Sequence, residues 1–419
     1  MKRIFIWFVF LPFLTQAQNI SLSQCVEAAK TNWPTFKKEM SIEKQKQVIN
    51  LIHDKQNLPK LLLSGQATYQ SETATFPDIP IPSLSNLFPE LPLDNYNVEA
   101  IINQTIWDGG MLKAKKAVQI FAKDLELKKN AIDTYALTGK INQLYFNYLT
   151  LYQKEEILKI SENELDKNIA TLKVAVVNGV LLQSDIDNLI SEKLKLAKTM
   201  LDIEAGKYQI IKALNIITGL QIPSDAKFEM PQVLTGINTA RPELDLFDAQ
   251  ADYLKLNEAQ YAVNRKPKFI GFAKLGYGRP GFDMFHTDLH SYYLIGAKFS
   301  WNIWDWNLLK AQKHLIKIQQ DVIAENKNLF NKQIDLKLTA YQQDINKIIK
   351  QITIDKKIES LRNSIYKSAK SKYDVGNLLT TEYLKAFNEL KRARLAIRLD
   401  ELKLLQAKIN YAYTQGQNF

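Results

Sequence analysis

Between Leu308 and Val375 apolar side chains recur in alternating steps of three and four residues: Leu315, Ile318 and Val322, then Ile334, Leu338, Tyr341, Ile345, Ile348 and Ile352. That rhythm places them on one seam of an α-helix of the coiled-coil kind. The stretch contains neither Gly nor Pro, so nothing interrupts a rod of about 68 residues, or about 100 Å at 1.5 Å per residue. A second run of the same kind extends from Met111 to Asn178 and carries one interior glycine, Gly139. Return helices are predicted over Leu181–Thr218 and Asn377–Gln415, and opening helices over Leu22–Leu58 and Pro242–Lys266. Each return helix is too short to match a long rod. An opening helix stacked end to end on a return helix makes up the missing length.

Between the opening and long helices the period falls to two. Leu61, Leu63, Gly65, Ala67 and Tyr69 alternate with Leu62, Ser64, Gln66 and Thr68. Ala297, Phe299, Trp301 and Ile303 alternate with Lys298, Ser300 and Asn302, and Trp304 and Trp306 follow. Apolar on one face, polar on the other and aromatic at the rim is the pattern of a transmembrane β-strand of about ten residues. On this reading Lys298, Ser300 and Asn302 face a lumen. Two further strands, Val98–Trp107 and Phe269–Tyr277, alternate less cleanly, with Phe272 on the polar side and Gln104 on the apolar side. Four strands cannot close a water-holding barrel, because about eight are the minimum and those are filled by side chains. The barrel must therefore be shared between chains. The loops between paired strands read as exposed: Pro77, Pro80, Pro82, Pro89 and Pro92 crowd the first, and the second spans Gly278–Ser291.

The chain repeats itself. Pro34, Pro59-Lys60 and Tyr69 match Pro242, Pro267-Lys268 and Tyr277 at an offset of 208. Trp107-Asp108, Gly179 and Gly219 match Trp304-Asp305, Gly376 and Gly416 at an offset of 197. One length change in one loop accounts for the difference. The predicted organisation is a signal peptide over residues 1–17, a first repeat over 18–219, a linker over 220–240 and a second repeat over 241–419.

Lys2 and Arg3 precede an apolar run from Ile4 to Leu14, and Thr15-Gln16-Ala17 supplies small residues for cleavage, so the N-terminus reads as an export signal. No later segment offers 18 consecutive apolar residues, which leaves β-strands as the route into a membrane. The formal charge of +11 falls to +9 without Lys2 and Arg3. In an exported chain whose lysines follow helix faces, this fits solvated surfaces or anionic lipid, not nucleic acid. The single cysteine, Cys25, excludes an intramolecular disulfide and a multi-cysteine metal site. His286, Asp288 and His290 have a spacing that could hold a metal, but no third committed ligand accompanies the two histidines, so no metal or other cofactor is expected. No phosphate loop or nucleophile elbow appears, and no enzyme activity is expected.

The export signal, the duplication, the Trp107-Asp108-Gly109-Gly110 junction, the Arg241-Pro242-Glu243-Leu244 start of the second half and Tyr373-Asp374-Val375-Gly376 before the second turn together resemble the TolC family of outer-membrane efflux ducts. The resemblance covers essentially the whole mature chain. It implies a mainly α fold with a long coiled-coil tunnel domain and four strands per chain in a shared trimeric transmembrane β-barrel. The implied protein is a homotrimer in the bacterial outer membrane with a periplasmic helical domain. It would pass substrates delivered by an inner-membrane pump and a periplasmic adaptor, the membrane fusion protein, in efflux or type I secretion. In that family hydrogen bonds and ion pairs near the helix turns close the periplasmic end. Carried over residue by residue, the tip glycines are Gly179 and Gly376, and the latch candidates are Asp185, Tyr373, Asp374 and Glu382, with a Tyr373–Asp185 hydrogen bond as the central element. Leu378 and Lys385 depart from the family pattern, which has an arginine and a second acidic residue there. Two other classes are compatible with the sequence: a periplasmic coiled-coil tether without channel activity, and a secreted enzyme with helical decoration.

Overall fold

The computed structural model describes residues 19–74, 91–179, 182–232 and 241–417. The expected signal sequence, most of the proline-crowded loop and the end of the expected 220–240 linker lie outside the described residues. The order is α1 (Leu22–Asn32), α2 (Pro34–Gln56), β1 (Lys60–Tyr69), β2 (Asp94–Trp107), α3 (Met111–Val177), α4 (Gln183–Thr218), α5 (Pro242–Val263), β3 (Lys268–Arg279), β4 (His290–Ser300), α6 (Leu308–Asp374) and α7 (Thr380–Thr414). Among the described residues no helix is long and apolar enough to cross a membrane.

The chain forms two compact units. One gathers the described residues of 1–39, 128–245 and 327–419, and the other those of 40–127 and 246–326. In the first unit the helices pack through two large cores. One holds Cys25, Val26 and Ala29 of α1 with Ile141, Tyr145, Phe146 and Leu149 of α3, Ile211 and Leu214 of α4, and Phe228 of the linker. Ile20 is tied to that linker by Ile20 N to Lys227 O at 2.9 Å and Glu229 N to Ile20 O at 3.0 Å. The Tyr148 hydroxyl donates to Ala226 O at 2.7 Å, and its ring stacks on Phe228 with centroids 3.9 Å apart. A buried tyrosine needs such a partner for its hydroxyl, and here the linker backbone supplies it. Ser21 caps α1 by accepting from Gln24 N at 3.1 Å.

The single opening helix expected over 22–58 is broken. Trp33 is extended and Pro34 begins a new helix, because a proline offers no N–H to continue the first one. The break serves the return helix. Asn32, the last residue of α1, donates its side-chain amide to Ile217 O at 3.2 Å, where α4 runs out of its own donors. At the other junction Arg241 donates to Thr414 O at 3.0 Å, at the end of α7 just before α5 begins. A side chain in or next to each opening helix thus bonds a backbone carbonyl at the end of a return helix. Gly139, inside α3, is explained by α7: a Cβ there would stand 2.9 Å from the Tyr413 hydroxyl. That ring stacks on Tyr135 at 4.4 Å, and its hydroxyl donates to Tyr135 O at 2.8 Å.

The second unit holds the four strands in one antiparallel sheet of order β1-β2-β3-β4. The register places Leu61, Leu63, Tyr69, Val98, Ile102, Leu275, Tyr277, Tyr293, Ile295 and Phe299 on one face. Leu61, Leu63, Tyr293 and Ile295 are more than 70% exposed, which a water-facing sheet would not tolerate over so wide a patch. The fourth strand begins and ends earlier than the sequence suggests. It starts at His290, which belongs to the ladder opposite Gly278, and stops at Ser300, so Trp301, Asn302 and Ile303 lie beyond it. The partner explains the stop: Lys268 opens β3 opposite Ser300, and Pro267 before it cannot donate to a ladder. Likewise β2 begins at Asp94, four residues before Val98.

Both strand-to-helix junctions turn through left-handed backbone. Gly109 and Gly110 have φ of 72° and 93°, and Asp108 caps α3 by accepting from Gly110 N at 2.8 Å and Leu112 N at 2.6 Å. At the second junction Trp306 and Asn307 take the same positions with φ of 53° and 62°, and Asp305 accepts from Leu309 N at 3.2 Å.

Candidate functional site

The ends of α3, α4, α6 and α7 converge on a polar cluster inside the first unit. Gly179 and Gly376 end the long helices with φ of 72° and 76°, a conformation that only glycine reaches cheaply. Four residues after Gly376, Thr380 opens α7 and is 3% exposed. Its hydroxyl donates to Asp185 Oδ1 at 2.6 Å and lies 3.3 Å from the Tyr373 hydroxyl. A hydroxyl has one proton, and Thr380 spends it on the carboxylate, so Tyr373 donates to Thr380. The direct Tyr373–Asp185 bond expected from the sequence is therefore replaced by a relay through Thr380. Asp185 also accepts from Leu182 N at 3.2 Å, which closes the first turn of α4.

The relay leans on an aromatic stack. Tyr373 lies nearly parallel to Tyr383, with centroids 4.5 Å apart and planes 8° apart. The Tyr383 hydroxyl accepts from the Asn168 side chain, and Asn168 Oδ1 accepts from Lys370 Nζ at 3.1 Å. Lys370 pairs with Asp374 at 3.5 Å on the rim, where Asp374 is exposed. Burial, the largest cause, pushes the Tyr373 phenol above its ordinary value, with the Asp185 and Asp374 carboxylates adding to the shift. Tyr373 is thus held as a neutral donor. The same burial raises Glu164 on α3 above the usual carboxylate range, against Lys370 and Arg394, which favour its charge.

Of the four latch candidates, Asp185 and Tyr373 meet through Thr380, and Asp374 joins at the rim. Glu382 is exposed and takes no part. The two turns are unequal for a visible reason: the position 197 residues before Tyr373 is Val176, which has no hydroxyl to offer a counterpart relay. Leu378 packs against the core beneath the cluster, and Lys385 is exposed. Thr380, Asn168, Lys370 and Tyr383 were not singled out from the sequence. The one signal present was a pair of hydroxyl residues, Thr380-Thr381, at a helix start.

The polar face of the sheet carries a second cluster. Glu99 pairs with Lys274 at 2.9 Å and accepts from the Tyr292 hydroxyl at 2.9 Å. The Tyr292 ring lies over Gly276, where a Cβ would come within 2.2 Å of it, and Phe272 lies over Gly296 in the same way at 2.8 Å. Phe272 thus occupies the polar face by folding flat on a glycine. Lys298 and Ser300 share this face, while Asn302 lies past the strand. The His286 and His290 rings lie with centroids 4.3 Å apart and planes tilted by 54°, and His290 Nδ1 faces Asp288 O, the backbone and not the carboxylate, at 3.0 Å. Among the described residues no three His, Cys, Asp or Glu side chains gather for a metal.

No family model matches the chain, and no curated protein matches it in sequence. Its fold is similar to solved outer-membrane proteins. The Campylobacter jejuni CmeC outer membrane channel superposes with a TM-score of 0.67 at 16% identity, over 94% of this chain and 85% of that one. The outer membrane protein VceC from Vibrio cholerae gives 0.67 at 15% identity, over 95% and 96%. The open state of the Neisseria gonorrhoeae MtrE outer membrane channel gives 0.68 at 11% identity, over 94% and 88%. Mainly helical with one four-stranded antiparallel sheet, the chain has the fold of the TolC-type outer-membrane channels that its sequence resembles.

Proposed function

We propose that this protein is the outer-membrane duct of a tripartite efflux or type I secretion system, a passive conduit for substrates delivered by an inner-membrane pump and a periplasmic adaptor. The observation that carries the reading is the sheet: four antiparallel strands with one broad exposed apolar face, one polar face and, in the order β1-β2-β3-β4, two open edges. An apolar face of that width calls for lipid, and open edges call for further strands. Three copies supply twelve strands, enough for a barrel with a lumen. The duct is then a homotrimer built from a duplicated unit, with repeats at 18–219 and 241–419 joined by the 220–240 linker, and it does no chemistry of its own.

On this reading the relay from Tyr373 through Thr380 to Asp185 holds the helix turns together in the closed state. Opening requires its hydrogen bonds to be exchanged for water, with the work coming from the partner pump. The test is planar-bilayer conductance of the detergent-purified trimer, comparing wild type with Asp185→Ala combined with Tyr373→Phe. Small wild-type currents that become large and sustained in the variant support a duct gated at this cluster. Equal currents keep the duct and move the gate. A protein that is soluble in the periplasm and inserts into no bilayer would be a tether and not a channel.

A further inference from the structure

The strand register shows how charge is distributed over the polar face. Lys60 is the first residue of β1, Lys268 the first of β3, and Lys298 lies two residues from the end of β4. In an antiparallel sheet these positions fall at the same end, the one that adjoins the helices. The pairings Lys60 with Asn103, Asn103 with Phe272, Phe272 with Gly296, Lys268 with Ser300 and Ile270 with Lys298 put all three lysines on the face shared by Glu99 and Tyr292, away from the apolar side. Lys268 and Lys298 are diagonal neighbours, about 7–8 Å apart by sheet geometry. Among the described strand residues the one acidic side chain on that face is Glu99, and Lys274 already neutralises it at 2.9 Å. The two other carboxylates near this end are occupied elsewhere: Asp108 accepts from Gly110 and Leu112, and Asp305 accepts from Leu309 and faces Arg265 at 3.9 Å.

From this we infer that the sheet's polar face is an anion-selecting lining, with Lys60, Lys268 and Lys298 as the residues that set the preference for small anions and anionic solutes over cations. The inference rests on the proposed channel. Like charges placed as neighbours destabilise a sheet, and nothing in the packing of this face requires them. Three per chain make nine in a trimer. The fields of Lys268 and Lys298 overlap, because their spacing of about 7–8 Å is within the screening length of about 8 Å at physiological salt, and low-dielectric walls focus the field further. Lysine suits passage better than arginine here. Its strongly hydrated ammonium attracts an anion as a point charge without the bidentate grip that would hold it, and a conduit must let its cargo leave.

The test is the reversal potential of the trimer in a planar bilayer under a KCl gradient, read on the native protein and on the Asp185→Ala, Tyr373→Phe variant. The expected chloride-to-potassium permeability ratio exceeds one. Lys60→Glu, Lys268→Glu and Lys298→Glu together should lower it by at least about threefold and carry it below one. Glu99→Gln, which leaves Lys274 unpaired on the same face, should move it the opposite way. Lys298→Gln alone, the mildest change, should give a smaller shift in the first direction should the triple variant fail to assemble. A conducting channel that prefers potassium, or one whose ratio ignores these substitutions, overturns the inference and leaves the duct standing. A protein that assembles but never conducts removes the duct itself.

Discussion

Thr380→Val is the sharpest probe of the latch, because it keeps the shape of a 3%-exposed side chain and removes only the hydroxyl between Tyr373 and Asp185. Two interactions go at once. The bond to the Asp185 carboxylate, at 2.6 Å, belongs to the class worth about 1.5–3 kcal/mol, and the buried Tyr373 hydroxyl loses its acceptor for about 1 kcal/mol more. Asp185 is only half-buried and recovers part of its loss from water, so about 2 kcal/mol per protomer is the expected net cost. That corresponds to about a 30-fold rise in the open population of the turns. Three protomers opening in concert would multiply the cost to about 6 kcal/mol, and opening one at a time would not. Amide hydrogen exchange of the purified trimer reads this directly. Segments 182–190 and 370–390 should exchange about 30-fold faster in Thr380→Val, the strands should be unchanged, and Thr380→Ser should restore protection. Tyr373→Phe should do less, since the Thr380–Asp185 bond survives it. Exchange within twofold of wild type in Thr380→Val would refute the relay, and so would a larger effect from Tyr373→Phe.

Three other outcomes follow from the packing. Gly139→Ala gains about 1 kcal/mol of helix propensity but drives a Cβ to 2.9 Å from the locked Tyr413 hydroxyl, so it should lower the melting temperature in the native chain and raise it in a Tyr413→Leu background. Glu164 has its folded pKa raised by burial, so the folded state holds its proton more tightly than the unfolded chain and stability falls as pH rises through the window above 4.5; Glu164→Gln should be more thermostable than wild type at pH 7, with the difference closing on acidification below that value. Trp306 sits at φ 53° and is 85% exposed; Trp306→Gly should relieve about 1 kcal/mol of backbone strain in denaturation, while flotation with liposomes should show weaker membrane association if the indole anchors the sheet at the interface.

The helices were legible because their signals are local and long. Met111–Val177 and Leu308–Asp374 end within a residue of their expected bounds, since 67 residues of seam average out any single exception and a glycine marks each stop. Strand ends were less legible. Trp301, Asn302 and Ile303 continue the alternation of β4 in the sequence but have no ladder partner, and only the position of Pro267 on the neighbouring strand says so. The break at Trp33 was signalled by Pro34, yet its purpose depends on the end of α4, 185 residues away. The latch shows the same limit. Asp185 and Tyr373 came from the family resemblance, carried over to positions near the turns, but Thr380 becomes visible only when two helix ends meet, because a threonine at a helix start reads as an ordinary cap. Glu99, Lys274 and Tyr292 come together through register, which no single strand reveals.

The equal lengths of α3 and α6, 67 residues each, bear on how such a chain can change. One inserted residue turns everything beyond it by about 100° and moves it 1.5 Å, which would swing Tyr373 off Tyr383 and away from Thr380. Seven inserted residues lengthen the helix by about 10.5 Å and leave the buried seam turned by only about 20°. Descent with altered length is therefore quantised: the long helices can grow or shrink in whole heptads, and α4 and α7 must take the same step or the joints at Asn32 and Arg241 come apart. Substitutions can drift freely over most of this chain while its ruler moves in notches.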